Sequence, residues 1–515
     1  MIKPRSCPLI ALLCFGALFY EPPKLWAQAM RSPEIQSRIE KVSGCLMTKV
    51  VEQDDPHVCQ KLLDRMAVDH VPGVSIAVIH NGAIEWAQGF GVVRLGGALV
   101  TVETLFQAGS ISKPVAAMAA LHLADKGKLS LDSDVNQALT SWKIPPSDAA
   151  PGAVVTLREL LSHTAGLTVH GFPGYAAGAP IPTLIQILNS EKPANTDPIR
   201  LEAVPGSHWK YSGGGYTVMQ QLLLDVSHQA FPTLLHDTVL APIGMTRSTY
   251  EQPLPGALRS GAATPYEAGG TPVAGGFNTY PEMAAAGLWT TPTDLARFAI
   301  EIQRSLRGDA NRVLSAAMTK QMLVAGQGKY GLGLEIGGSP ENPFFAHGGI
   351  NQGFEGVLVT YQRSGDGAVV MTNAQGGQRL ANDILRSIAS VYGWPDFHPM
   401  VRATVRVDPS ILATYTGIYK LKPAFSMAIM LENGQLMAQA THQHKFPVFP
   451  ESQSMFFFKA IDARIEFFSE ENGQISHLGR KKTIAAQVEL ASSHPLGMTK
   501  RDSGVMLSVS THIVH

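Results

Sequence analysis

The residues best suited to chemistry lie in the stretch Gln107-Ala108-Gly109-Ser110-Ile111-Ser112-Lys113-Pro114. A serine hydroxyl is a poor nucleophile until a neighbour takes its proton, and a lysine can take it once burial lowers its pKa. Residues three apart share one face of a helix, so Ser110 and Lys113 can meet if a helix opens here. Pro114 is tolerated in a first turn, an Ala-rich run continues to Lys126, and Gly127 suits the position just past a helix end. The pattern therefore predicts a helix beginning at Ser110, its hydroxyl at the positive end of the dipole. The pair alone is not specific. Ser207-His208-Trp209-Lys210 has the same spacing without a helix start, and a serine that only caps a helix looks the same.

Two further groups follow in order. Tyr211-Ser212-Gly213 precedes a helix predicted over 217–226, with Gly213-Gly214-Gly215 read as a loop needing free backbone angles, and His347-Gly348-Gly349 lies on a predicted strand. In this order the three motifs resemble those of the serine β-lactamase and D-alanyl carboxypeptidase superfamily, especially its class C, D-aminopeptidase and esterase branch. The phrases LLSHTAGL (Leu160 to Leu167) and AAGLWTTPTDLARF (Ala285 to Phe298) are also typical of that branch, and the resemblance spans roughly residues 35 to 395.

The resemblance implies Ser110 as nucleophile and Lys113 as its base. Tyr211 would share the proton transfers, its phenol shifted down by an adjacent ammonium. His347 would hydrogen-bond the Tyr211 oxygen or bind a substrate carboxylate, and Gly348 and Gly349 would let substrate approach the backbone. The backbone N–H groups of Ser110 and Ile350 would form the oxyanion hole. One position departs from the pattern: Gly213 stands where the family carries an Asn whose amide contacts the lysine and the substrate. The function implied is an exported serine hydrolase that forms an acyl-enzyme on β-lactams or D-amino-acid-containing peptides. A carboxylesterase of the same fold is the second reading. A non-catalytic penicillin-binding sensor or scaffold is the third, kept open by Gly213. No cofactor or metal is called for, since the chain lacks HExxH, a Walker loop and a clustered cysteine set, and His442-Gln443-His444 reads as a polar strand edge. There is no GxSxG elbow of the α/β-hydrolase type.

The elements that must position these residues read as strands, then helices, then strands. Residues 73–80 and 83–91 form a hairpin about Asn81-Gly82, and later strands are predicted at 330–336, 344–350, 355–362 and 368–373. Between them Thr156 with Glu159 makes a capping box, and Thr291, Pro292 and Asp294 mark another helix start. This layout is α/β (α+β): one antiparallel sheet built from both chain ends, flanked by helices, with a helical region inserted. A helix over 379–392 is followed by a Pro-punctuated linker at 396–410, which separates a hydrolase domain at 30–395 from a C-terminal domain at 411–515. Short β-type runs such as LMAQA and MFFFKA, with turns at Asn433-Gly434 and Asn472-Gly473, predict a small β-barrel or sandwich there.

At 515 residues the chain is long for one core, and 45% hydrophobic with 16% charged residues marks it as globular. Equal numbers of basic and acidic residues, 41 each, leave no field to gather nucleic acid, so the partner expected is a small-molecule or peptide acyl substrate. Residues 1–29 read as a signal peptide: Lys3 and Arg5, an apolar run from Pro8 to Tyr20, and Ala27-Gln28-Ala29 as a cleavage site. The run is shorter than the roughly 20 residues needed to span a bilayer, which favours cleavage over anchoring and a periplasmic or secreted product. Cleavage leaves Cys45 and Cys59, either bridged or free.

Overall fold

The computed structural model describes residues 32–54, 59–309, 311–422, 425–441, 445–459, 461–469 and 475–479. The predicted leader, the His442-Gln443-His444 edge and the Asn472-Gly473 turn lie outside them.

The central sheet has six antiparallel strands in the spatial order Ala83–Gly91, Gly73–His80, Gly367–Thr372, Phe354–Tyr361, Pro343–Asn351, Glu335–Gly338. Both chain ends therefore feed one sheet, as the strand-helix-strand layout requires. The first hairpin turns at Asn81 and Gly82, both with positive φ (52° and 73°), the geometry for which Asn-Gly is suited. The predicted strand over 330–336 is corrected: the strand is Glu335–Gly338, and Tyr330 precedes it, joined to Glu335 by an isolated antiparallel bridge.

Side chains alternate across the sheet. Val74, Ile76, Val78, Val357, Val359 and Val370 face the Gly377–Tyr392 helix and the Pro33–Gly44 helix. Ala77, Ile79, Phe345, Leu358 and Val369 face the larger core, which holds the helices Ser112–Asp125, Gly213–Ser227 and Pro292–Arg307. The helix starts at Thr156 and Thr291 are formed as read: the first is a complete capping box, and the Thr291 hydroxyl accepts from Asp294 N at 3.2 Å.

Cys45 and Cys59 are joined in a disulfide. The stretch read as a linker is partly structured. Met400–Arg402 pairs in parallel with Val50–Glu52, and a short helix, Pro409–Thr414, stands where β structure was expected to begin. Beyond it seven strands from Gly417–Lys422 to Ile475–Gly479 form a curled antiparallel sheet in sequence order. Among the described residues no ladder joins its first and last strands. Its own core holds Tyr415, Ile429, Leu436, Val448, Phe456 and Phe467.

Candidate active site

Ser110 lies in a 3-10 turn, Gly109–Ile111, one residue before the Ser112–Asp125 helix. The helix thus opens slightly later than the sequence suggested, with no side-chain cap at its start. The fully buried Ser112 hydroxyl donates to Gly109 O at 2.6 Å and accepts from Leu288 N at 3.0 Å. Gly109 has φ +52°, and a Cβ there would fall 2.5 Å from Ile350 N; a Cβ on Gly349 would fall 1.9 Å from Ala108 O. These two glycines let the nucleophile turn and the Pro343–Asn351 strand meet backbone to backbone, bringing the Ile350 N–H beside the turn that carries Ser110.

Lys113 is 2% exposed, and its ammonium nitrogen donates to Ser110 Oγ at 3.0 Å and to Ala285 O at 2.8 Å. Burial pulls its pKa down to about 7. A lysine so placed is substantially neutral at physiological pH and can accept the serine proton. The carbonyl that receives it is fixed from both sides. Asn351 Nδ2 donates to Ala286 O at 3.0 Å, and Gln220 accepts from Ala284 N at 2.9 Å while donating to Pro281 O at 3.1 Å. Just upstream, Glu282 is fully buried with both carboxyl oxygens lacking a hydrogen-bond partner, and burial pushes it up to about 8.

Tyr211 faces Lys113, whose Nζ is 5.0 Å from the ring centroid, and its phenol interacts with the Ser110 hydroxyl. The expected downward shift of this phenol is not found. Burial raises it well above its ordinary value, and the Ser110 contact offsets only part of the rise.

His347 is also brought to this cluster, but with other partners than expected. Its Nε2 bonds the Tyr330 hydroxyl at 2.9 Å, its Nδ1 contacts Gly348 O, and its ring centroid is 6.4 Å from that of Tyr211. It is 2% exposed, and burial with the nearby Lys113 holds its pKa down at about 3. In the resting site it is a neutral wall, neither a partner of the Tyr211 oxygen nor a cation for a carboxylate.

The glycines after Tyr211 are corrected from loop to helix. Gly213, Gly214 and Gly215 form the first turn of Gly213–Ser227, capped by the Ser212 hydroxyl, which accepts from Gly215 N at 3.0 Å. They are needed for close packing rather than for unusual angles: a Cβ on Gly214 would meet Thr168 O at 2.4 Å, and one on Gly213 would meet His170 O and the Phe172 ring at 3.0 Å. A side chain at 213 would require these neighbours to give by a few tenths of an ångström. The helix start is held by Gly213 N to His170 O at 3.0 Å and Gly214 N to Val169 O at 2.9 Å, with Val169 in the left-handed region at φ 65°. That is a strained conformation for a β-branched residue. Gly348 points away from Ser110, since a Cβ there would face Gln378 across the sheet at 2.8 Å. Ile350 is 56% exposed beside the nucleophile turn.

Sequence reasoning missed His163, Tyr330 and Asn351. His163 sits in the LLSHTAGL phrase, the one signal available for it, and its ring lies 4.2 Å from that of Tyr211. Among the described residues no group of three potential metal ligands occurs, and no helix is long and apolar enough to cross a membrane.

Comparison with known proteins places these residues in a wider set. The Beta-lactamase family model matches residues 60–392, and a model described as a domain of unknown function (DUF3471) matches 401–492. Penicillin-binding protein 4 of Amycolatopsis lactamdurans is 28% identical over 64% of this chain and 88% of its own length. The D-alanyl-D-alanine-carboxypeptidase/endopeptidase AmpH of Escherichia coli (strain K12) is 24% identical over 56% of this chain and 73% of its own. Among solved structures, the octameric penicillin-binding protein homologue from Pyrococcus abyssi superposes with a TM-score of 0.57 at 22% identity, covering 82% of this chain and 98% of that one.

Proposed function

The chain belongs to the Beta-lactamase family, and from that premise we propose that it is an exported serine hydrolase that forms an acyl-enzyme on Ser110. The observation that carries the reading is the buried Lys113 with its nitrogen 3.0 Å from Ser110 Oγ and its pKa near 7. In the proposed reaction Ser110 Oγ attacks the acyl carbon as its proton passes to Lys113. The negative charge that develops on the acyl oxygen is received by the N–H groups of Ser110 and Ile350. Tyr211, protonated at rest, delivers a proton to the departing amine or alkoxide as the C–N or C–O bond breaks, and is reprotonated from Lys113. Water then attacks the acyl-serine with the same groups reversing their roles.

Peptide amides containing D-amino acids and β-lactams are the first substrate reading, supported by what the relatives are called. A second, carboxylesterase reading is favoured by specific observations. His347 is neutral and enclosed, Gly213 lacks the family amide and leaves only tight room for a side chain, and the exposed side chain beside Ser110 is the apolar Ile350. An uncharged ester needs neither a carboxylate anchor nor an acylamide contact. The hydrolase domain is proposed to end near residue 395, with the curled sheet as an appended domain, and residues 1–29 to be an export signal.

The test is intact-mass analysis of wild type and Ser110→Ala after exposure to a fluorophosphonate, a penicillin and a short-chain p-nitrophenyl ester, with turnover followed in parallel. Labelling and turnover by wild type alone support the hydrolase, and the preferred acyl donor selects between the substrate readings. If wild type is neither labelled nor active, the non-catalytic binding reading replaces it.

A further inference from the structure

Tyr211 is bracketed by one residue that the proposed mechanism does not use. Lys210 N donates to the backbone carbonyl of His163 at 2.9 Å, and Ser212 N donates to His163 Nδ1 at 3.2 Å. Between these two bonds the imidazole lies against the Tyr211 ring, centroids 4.2 Å apart at an interplanar angle of 35°. His163 closes the Leu157–Ser162 helix in the left-handed conformation, φ 60°, and its own N–H returns to Glu159 O. The residue is 2% exposed, so these contacts are made away from solvent.

The bonding pattern also fixes the protonation state. An Nδ1 that accepts an N–H carries no hydrogen, so the ring proton sits on Nε2. Nε2 has no hydrogen-bonding oxygen or nitrogen, and the rings around the imidazole are those of Tyr330, Tyr216 and Trp209, with centroids 4.7, 5.2 and 6.3 Å away. An N–H pointed among aromatic faces is held weakly but without a competing acceptor. A second proton would remove the acceptor for Ser212 N and place a charge in a buried site, and burial is the largest cause opposing it.

We propose that His163, as a neutral Nε2–H imidazole, is a positioning residue that holds the Tyr211 phenol at the Ser110–Lys113 pair. The proposal rests on the role assigned to Tyr211 above. It differs from a packing role because it ties the effect of His163 to that one phenol.

The test compares Tyr211→Phe, His163→Asn, His163→Phe and the double variant Tyr211→Phe with His163→Asn. Asn tolerates the left-handed backbone and drops the ring, while Phe keeps a ring and drops the acceptor. Turnover of a p-nitrophenyl ester, or of whichever acyl substrate wild type prefers, is expressed per Ser110 titratable by fluorophosphonate, which removes any loss from misfolded protein. Each single variant is expected to lower kcat at least about tenfold with KM within about twofold, and the double variant to be no slower than Tyr211→Phe. Losses in the double variant that multiply, or His163 variants that keep kcat per titrated site within about twofold, would overturn the proposal. A wild-type measurement stands independently of folding of the variants: nitrogen chemical shifts of 15N-histidine-labelled protein should show an Nε2–H imidazole that does not titrate between about pH 6 and 9. An Nδ1–H tautomer or a titrating ring overturns it as well. Full kcat in Tyr211→Phe would instead remove the role of Tyr211 from the function proposed above.

Discussion

At the residue scale, what distinguishes this site is how little fixed charge it carries. Lys113 is brought to about 7, His347 to about 3, and His163 is held well below its ordinary value, all with burial as the largest cause. In the proposed reaction the neutral amine is the form that accepts the serine proton, and its fraction rises with pH through the lysine's own pKa. Acyl turnover, kcat/KM, is therefore expected to climb between about pH 6 and 8 and then level, and Lys113→Arg, which cannot shed its charge, should abolish both limb and activity. A pH-rate series on the two proteins checks this; a flat wild-type profile would rule out Lys113 as the base. Gly213 gives a second expectation. Restoring the family residue with Gly213→Asn should not raise penicillin turnover, because its Cβ already meets His170 O and Phe172 at 3.0 Å. It should cost about 1–3 kcal/mol of stability through overpacking, measured by denaturant unfolding.

At the element scale, the site is a meeting of short segments rather than of long helices. The Gly109–Ile111 turn, the strand that carries His347, the short Met283–Ala286 helix and the start of the Gly213–Ser227 helix meet there. Side-chain amides stitch them together: Asn351 Nδ2 donates to Gln107 Oε1 and to Ala286 O, each at 3.0 Å, and Gln107 Nε2 donates to Asn278 O at 2.7 Å. The Cys45–Cys59 bridge belongs to a different layer. It lies between the Pro33–Gly44 and Leu62–Val68 helices, with a sequence separation of 14. Replacing both cysteines by serine is expected to cost about 3 kcal/mol in the chain-entropy account while leaving fluorophosphonate labelling of Ser110 intact. Unfolding curves with parallel labelling check this, and loss of labelling in the folded variant would show that the bridge reaches the site.

At the scale of the whole molecule, the curled C-terminal sheet is held through an ionic and backbone junction. Val50 N donates to Lys459 O at 3.1 Å, Glu52 pairs with Lys459, and Arg402 reaches Asp462 at 2.6 Å and Glu451 at 3.5 Å. Arg379, on the helix behind the central sheet, lies over the Phe446 ring at 5.7 Å. These contacts fall on the side of the sheet away from Ser110. Arg402→Ala leaves the part-buried Asp462 carboxylate without this cation, while Glu451 keeps Arg464, so it is expected to speed proteolytic separation of the two regions. Ester turnover should stay within about twofold of wild type. Limited proteolysis alongside an activity assay decides, and a matching loss of activity would mean that the junction supports the site.

The sequence by itself determined the parts that depend on local chemistry and periodicity. Ser110 and Lys113 three apart before Pro114, the Asn81-Gly82 hairpin, the alternation of the sheet strands and the caps at Thr156 and Thr291 follow from rules that act within a few residues. Only the tertiary structure decided what burial and long-range contact do. It put the Tyr330 hydroxyl onto His347, turned Gly213 to Gly215 from a loop into a helix start, and raised the Tyr211 phenol where an ammonium was expected to lower it. It also brought His163, 48 positions upstream, against Tyr211. Desolvation and packing are sums over neighbours distant in the chain, and no window of sequence contains them.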